Sequence, residues 1–340
     1  MASDQAPPVR VVAWELTQRC NLTCPYCRAS ATSTHGDELS IDNALNTLDE
    51  IRTLGTPLVI FSGGEPLLLD FWPRLAEKAC SDSLSIALAT NGTLLTSEIA
   101  HEIHDLKIRR VSVSLDFPDP KRHDVVRGAG SFDAAMRGIR FLKEAQVSFQ
   151  INLTAGHDNT AEVGNMLRFA IDLGADAFHV FFVVDVGRAA KGHMGIELTD
   201  YERALENVAE LERTSPIEIK VTCAPQYERI RKAAGIPDGP KRRASRGCLA
   251  GCGFLFISAV GEVKPCGYFD LVLGRVGEKP LREIWENHPA LKAMRDPSRL
   301  KGSCATCSHV SICGGCRARA LSVTGDFLNA DPACAYNTPG

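Results

Sequence analysis

Three cysteines, Cys20, Cys24 and Cys27, stand in the stretch CNLTCPYC with three and then two residues between them, and no fourth ligand beside them. A structural zinc site takes four ligands, and a disulfide takes two. Three thiolates can hold three irons of a [4Fe–4S] cube and leave the fourth iron open to a substrate or cofactor. A second group lies near the C-terminus: Cys304, Cys307, Cys313 and Cys316 are spaced C-x2-C-x5-C-x2-C, with Cys334 beyond and Cys248, Cys252 and Cys266 upstream. Spacing alone suits zinc or iron–sulfur equally, but eight cysteines suffice for two complete clusters. Of the 13 cysteines only Cys80 and Cys223 stand apart. Cys80 falls on an amphipathic helical pattern and reads as a buried apolar residue.

These thiols need elements to hold them. Strand-like runs at 11–17, 57–62, 85–90, 109–115, 148–154 and 177–184 alternate with segments of helical period. The clearest helix spans 40–54, with a stripe of Ile41, Leu45, Leu48 and Ile51 behind a Ser40 N-cap; Thr96 opens another, backed by Ile99, Ile103 and Leu106. Six strand–helix units imply a parallel sheet with right-handed crossovers. The expected α/β fold is a partial (β/α)6 barrel of the TIM type, whose C-terminal rim, where barrels build active sites, receives the first cysteine group. A short seventh strand at 218–223 leads to GIPDGPKRR, and the stretch FLFISAVGEVKPCGY reads as a hairpin turning near Val260-Gly261. This sets the expected domains at 1–237 for the barrel and 238–340 for a cysteine-rich extension.

A net charge of −3 argues against a nucleic-acid partner, which needs dense Lys and Arg. The N-terminus lacks the apolar run of a signal peptide and no segment reaches the length of a membrane span, so the expectation is a cytoplasmic protein without a membrane partner. In a reducing cytosol, clustered cysteines favour metal ligation over disulfides.

With Tyr26 before the last cysteine, the first group resembles the C-x3-C-x-aromatic-C motif of the radical S-adenosylmethionine (SAM) superfamily. The resemblance implies that SAM chelates the open iron and is cleaved by one electron to a 5′-deoxyadenosyl radical. It also implies that Gly63, Gly64 and Glu65 in SGGEP hold the SAM amino group, that Tyr26 lies beside the adenine, and that Asn91, Ser114 and Asp116 face the SAM or substrate cavity. Arg127 would meet the SAM carboxylate. Each stretch follows a successive predicted strand on one rim, although glycine pairs and Asn-Gly also make ordinary turns.

The tail resembles the SPASM extension, with Gly261 and Cys266 forming its G-x4-C element. By that analogy one auxiliary [4Fe–4S] cluster takes Cys248, Cys252, Cys266 and Cys316, with Cys223 as a substitute ligand, and the other takes Cys304, Cys307, Cys313 and Cys334. Stretches such as VAWELTQRCNLTCPYCRASA, FHVFFVVDVGRA and CGGCRARALSVTGDFL resemble the haem synthases of the siroheme-dependent pathway. Their reaction would be oxidative decarboxylation of two Fe-coproporphyrin III propionates to vinyl groups, giving haem b with one SAM consumed each time. Related didecarboxysiroheme deacetylases tend to carry tyrosine where this chain has Arg28. The resemblance implies an electron donor such as a flavodoxin or ferredoxin. Four substrate carboxylates call for cations, for which Arg188, Arg229, Arg231 and the run Lys241, Arg242, Arg243 stand available; a solvated loop also explains the run. Phe181 or His179 would face the cavity, since alternate strand residues point inward; a hydrogen-bonded interior histidine is an equal reading of His179. A peptide-crosslinking maturase with the same clusters is the main alternative, and a zinc-binding scaffold a more distant one.

Overall fold

The computed structural model describes residues 6–34, 36–192, 195–237 and 246–336. Seven strands run parallel, each beside the next: β1 (Val11–Glu15), β2 (Leu58–Ser62), β3 (Ser85–Thr90), β4 (Arg110–Ser114), β5 (Phe149–Ala155), β6 (Ala177–Phe182) and β7 (Glu218–Thr222). The crossovers carry α1 (Ile41–Thr53), α2 (Trp72–Ser81), α3 (Ser97–Asp105), α4 (Pro120–Arg127), α5 (Ser131–Glu144), α6 (Val163–Leu173), α7 (Arg188–Gly192) and α8 (Leu198–Thr214). After α9 (Tyr227–Ala233) the chain returns to the sheet: β8 (Phe254–Ile257) pairs parallel with the free side of β1. It then turns at Gly261 (φ +81°) into β9 (Glu262–Lys264), which pairs antiparallel with β10 (Gly274–Arg275). The C-terminal part adds α10 (Leu281–Asn287), α11 (Pro289–Arg295) and α12 (Arg317–Thr324).

Among the described residues the sheet therefore has ten strands in the order β10-β9-β8-β1-β2-β3-β4-β5-β6-β7, and β7 does not meet β10, so the barrel stays open. Six strand–helix units and a seventh strand were expected; among the described residues β8 adds an eighth parallel strand. The hairpin was expected to stand in the extension alone, yet its first strand completes the sheet edge. The GIPDGPKRR boundary falls largely on residues 238–245, outside the described residues.

Period-two alternation explains the layers. Val12 and Trp14, Val111 and Val113, and Phe178, Val180 and Phe182 are buried in one continuous core with helix residues such as Leu48, Leu75, Ile139 and Leu205. A side chain placed at Gly92 would meet both Val113 and Ala135 of α5, which fixes this as the helix-facing side. Ser112 and Ser114, Asn152 and Thr154, and His179 and Phe181 consequently face the open concave side. Each large apolar side chain in the core contributes about 2 kcal/mol. Ser40 caps α1 by accepting from the Asn43 N–H at 3.3 Å, and Thr96 caps α3 by accepting from Ile99 N–H at 3.2 Å. In the expected stripe of α1, Leu48 and Ile51 are fully buried, whereas Ile41 and Leu45 are half-buried. Cys80 is also only half-buried, its thiol donating to the Leu106 carbonyl at 3.0 Å.

Candidate active site and cluster-binding cysteines

The loop after β1 carries the first cysteine group and is pinned by backbone. Cys20 N–H donates to Thr32 O at 2.8 Å, and Cys27 N–H to Cys24 O at 3.2 Å. From the α7 end, Arg188 donates through Nε to Cys24 O at 2.8 Å, through Nη1 to Ala31 O at 2.5 Å, and through its N–H to Cys27 O at 3.0 Å. Arg188 was expected to meet a substrate carboxylate; its guanidinium instead braces the cysteine loop. Burial pushes the Cys20 thiol up to about 11 and raises that of Cys24. Thiols so placed keep their protons without metal, and ligation to a polycationic iron core offsets the cost of ionising them.

The loop after β2 lies flat against this one. Gly64 N–H donates to Thr17 O at 2.7 Å and Glu65 N–H to Arg19 O at 2.8 Å. A Cβ on Gly63 would come within 2.6 Å of Thr17 O, and one on Gly64 within 2.1 Å of Arg19 O, so the contact needs both glycines. The Glu65 carboxylate is fully buried and accepts from Thr90 Oγ1 (2.7 Å), Asn91 N–H (2.7 Å) and Leu67 N–H (3.2 Å). Its acceptors thus serve the protein, and burial raises its pKa to about 7 despite those bonds. Asn91 in turn donates to Asn21 Oδ1 at 2.8 Å and lies 4.0 Å from Cys20 Sγ, tying the third loop to the cysteine loop.

Beyond β4, Asp116 is fully buried and Arg127 nearly so. Arg127 Nε donates to Asp116 Oδ2 at 2.5 Å and Nη2 to Oδ1 at 3.3 Å, while Tyr26 donates its hydroxyl to Oδ2 and Thr154 N–H reaches Oδ1 at 2.9 Å. His123 and Arg127, four residues apart on one face of α4, both reach this carboxylate's segment, with His123 Nδ1 accepting from Asp116 N–H at 3.3 Å. Burial opposes the charges of Asp116 and Arg127, but their mutual attraction, joined at the carboxylate by the Tyr26 hydroxyl and the Thr154 N–H, outweighs it: the carboxyl is held below its usual range and the guanidinium above. Tyr26 also borders a cleft of about 250 Å³ with Phe117, Val126, Thr154, Gly156, Asp158 and Asn159. Ser114, half-buried, faces the concave side nearby. Arg127 was expected to be open to a ligand carboxylate; its bonds here run to Asp116.

The cysteine-rich part forms two further sites. Cys304, Cys307, Cys313 and Cys334 line one cavity of about 320 Å³. Burial pushes the Cys313 thiol up to about 12 and raises that of Cys334. The buried Arg317 guanidinium lies 3.7 Å from Cys304 Sγ, a charge able to balance a thiolate-rich cluster. At the second site Cys248, Cys266 and Cys316 come together, whereas Cys252 points its thiol at Met294 O, 3.8 Å away. Arg28, next to Cys27, pairs with Glu15 at 2.9 Å, donates to Gly267 O at 3.1 Å and covers the Phe256 ring at 4.7 Å, linking the first site to the Cys266 turn.

Several roles were missed from sequence. Arg317 directly follows Cys316 and Arg319 comes two residues later, and that nearness was the available signal. The Glu15–Arg28 pair had none, since it depends on β1 and the loop meeting in space. Arg229 pairs with Glu202 and Arg231 with Glu212 at 2.8 Å, so neither stands open as a carboxylate ligand. Lys241, Arg242 and Arg243 lie outside the described residues. His179 lies 2.7 Å from Thr222 Oγ1 and 4.1 Å, ring to ring, from Phe181; burial pushes its pKa down to about 3, so it is neutral.

A three-thiol loop at the rim of an open parallel sheet, followed by further thiol-rich sites, defines a class. Residues 14–170 match the radical SAM superfamily and residues 248–308 the SPASM iron–sulfur cluster-binding domain. The chain belongs to the radical SAM superfamily; it is an enzyme of that class, with SAM and iron–sulfur clusters as its cofactors. Among its relatives, the AdoMet-dependent heme synthase of Methanosarcina barkeri is 42% identical over 350 residues, spanning 100% of this chain and 99% of that protein. The PqqA peptide cyclase of Streptomyces rochei is 29% identical over 337 residues, spanning 95% and 88%. The crystal structure of Streptococcus suis SuiB bound to S-adenosylmethionine shares the fold, with a TM-score of 0.77 at 19% identity over 97% of this chain and 78% of that one. No helix among the described residues is long and apolar enough to cross a membrane.

Proposed function

We propose that this enzyme converts Fe-coproporphyrin III to haem b, decarboxylating two propionates oxidatively to vinyl groups with one SAM consumed for each. The observation that carries this reading is full-length similarity to a heme synthase in a chain whose three-thiol loop sits on the sheet rim. The peptide-modifying alternative has weaker support, because the peptide cyclase relative is markedly more distant. When bound, the cluster on Cys20, Cys24 and Cys27 would supply the electron that makes SAM a hydrogen-abstracting reagent, and two auxiliary clusters a sink for the electron released with carbon dioxide. Gly63 and Gly64 would present the backbone of their loop to SAM, with Glu65 and Asn91 as positioning residues that tie three rim loops together. Tyr26, Asp116 and Arg127 would form one wall of the SAM cleft, and their mutual neutralisation keeps that wall free of net charge. Ser114, His179 and Phe181 would border the substrate on the concave side. A flavodoxin or ferredoxin would serve as electron donor. The division at residue 237 would then be one of role, SAM handling before it and electron acceptance after it, laid over a continuous sheet.

The test is anaerobic incubation with SAM, a reductant and Fe-coproporphyrin III, followed by mass analysis. Stepwise loss of two carboxyl groups is expected. Release of 5′-deoxyadenosine with unchanged porphyrin would overturn the assignment in favour of another substrate.

A further inference from the structure

Cys223 ends up beside the first auxiliary site although it stands far from those cysteines in sequence. It follows β7 directly, at the rim, and takes φ +63°, a conformation uncommon for a non-glycine residue. Two contacts bring its segment to the other cysteines. Arg319, three residues after Cys316, donates through Nη2 to Cys223 O at 2.7 Å, and a Cβ on Gly247, the neighbour of Cys248, would sit 2.6 Å from Pro225 O. Asp331 closes the arrangement: its Oδ2 accepts from Cys316 N–H at 2.6 Å and from Gln226 Nε2 at 2.8 Å. The segment that carries Cys223 thus packs against both the turn of Cys316 and the residue preceding Cys248.

Cys252 stands on the other side of Cys248. Its Sγ lies 3.8 Å from Met294 O and 3.8 Å from Arg246 Nη1, and the adjoining Gly251 (φ +67°) packs on Leu291 and Met294 of α11.

We infer that the first auxiliary cluster is held by Cys223, Cys248, Cys266 and Cys316, with Cys252 outside the ligand set. This rests on the proposed two-cluster reading and sharpens it: the ligand just after β7 fastens the cluster to the sheet rim, where the substrate would lie. Cys252 then acts as a thiol paired with Arg246 in the wall behind the site.

The test uses the full chain with Cys20, Cys24 and Cys27 all replaced by alanine, so that bound iron reports the auxiliary sites alone. After anaerobic reconstitution the parent should hold about eight irons with matching sulfide, as two cubes require. Adding Cys223→Ala should remove about four irons and one of two reduced-state electron paramagnetic resonance signals. Adding Cys252→Ala should remove neither. Cys223→Ser, which keeps the side-chain volume, should retain folding and shift the same signal. If Cys223→Ala leaves both signals and the iron unchanged, or if Cys252→Ala deletes the signal instead, the ligand assignment is wrong while the two-cluster reading stands. A parent with only about four irons that vanish on Cys307→Ala would overturn the two-cluster reading and the ligand assignment with it.

Discussion

Asp116 and Arg127 show what a buried charge requires. Each is desolvated, and each is held charged chiefly by the other within hydrogen-bond distance, with Tyr26 and the Thr154 N–H also donating to the carboxylate. Replacing Asp116 by Asn strands the guanidinium and should cost about 3–5 kcal/mol, read as a lower denaturation midpoint of the metal-free protein. The native carboxyl titrates below its unfolded value, so its contribution is present above the ordinary carboxylate range and is lost as pH falls through its depressed native pKa. Glu65 has the opposite sign. Its native pKa is about 7 against 4.5 when unfolded, so its contribution is fully present below 4.5 and is lost as pH rises through about 7. Over that window wild-type stability should fall by roughly 3 kcal/mol relative to Glu65→Gln, which carries no such titration; parallel denaturation curves for the two proteins would disprove it. At the first cysteine group, Cys20→Ala should abolish SAM cleavage, measured as 5′-deoxyadenosine release.

The element that matters most is the pair of rim loops after β1 and β2, whose backbones touch through Gly63 and Gly64. Gly64→Ala places a methyl 2.1 Å from Arg19 O, a backbone atom that cannot swing aside as a side chain would. The loops must part, and SAM binding should weaken by at least tenfold, equivalent to about 1.4 kcal/mol, measured by equilibrium binding to reconstituted protein. By contrast, Ser40→Ala acts on α1 alone, removing the acceptor for Asn43 N–H. It should cost about 1 kcal/mol of stability and leave SAM affinity unchanged.

For the molecule as a whole, the C-terminal part is built onto the barrel rather than appended to it. β8 pairs with β1, Arg28 reaches Gly267, and Arg319 reaches Cys223, so the auxiliary sites are fixed relative to the rim. Separable functions should still appear on mutation. Cys307→Ala should leave SAM cleavage intact while lowering porphyrin product, because its cavity lies apart from the three-thiol loop; loss of both together would contradict that separation.

Much of this was legible in the residues themselves. Strand periodicity, the caps Ser40 and Thr96, the turn at Gly261 and the order of rim motifs all follow from interactions between residues a few positions apart, which sequence displays directly. The grouping of Cys304, Cys307, Cys313 and Cys334 came from the resemblance to the SPASM extension rather than from spacing; in the structure all four line one cavity. The partners of cations were not: Arg188 and Arg127 looked free for ligands, yet one braces carbonyls in a loop 164 residues away and the other neutralises Asp116. Nor could spacing seat β8 beside β1 or turn Cys252 away from Cys266. Local chemistry determined which elements form and which residues can bind iron. Tertiary packing alone decided which of those residues meet, because desolvation forces each buried charge and thiol to find partners that chain distance does not reveal.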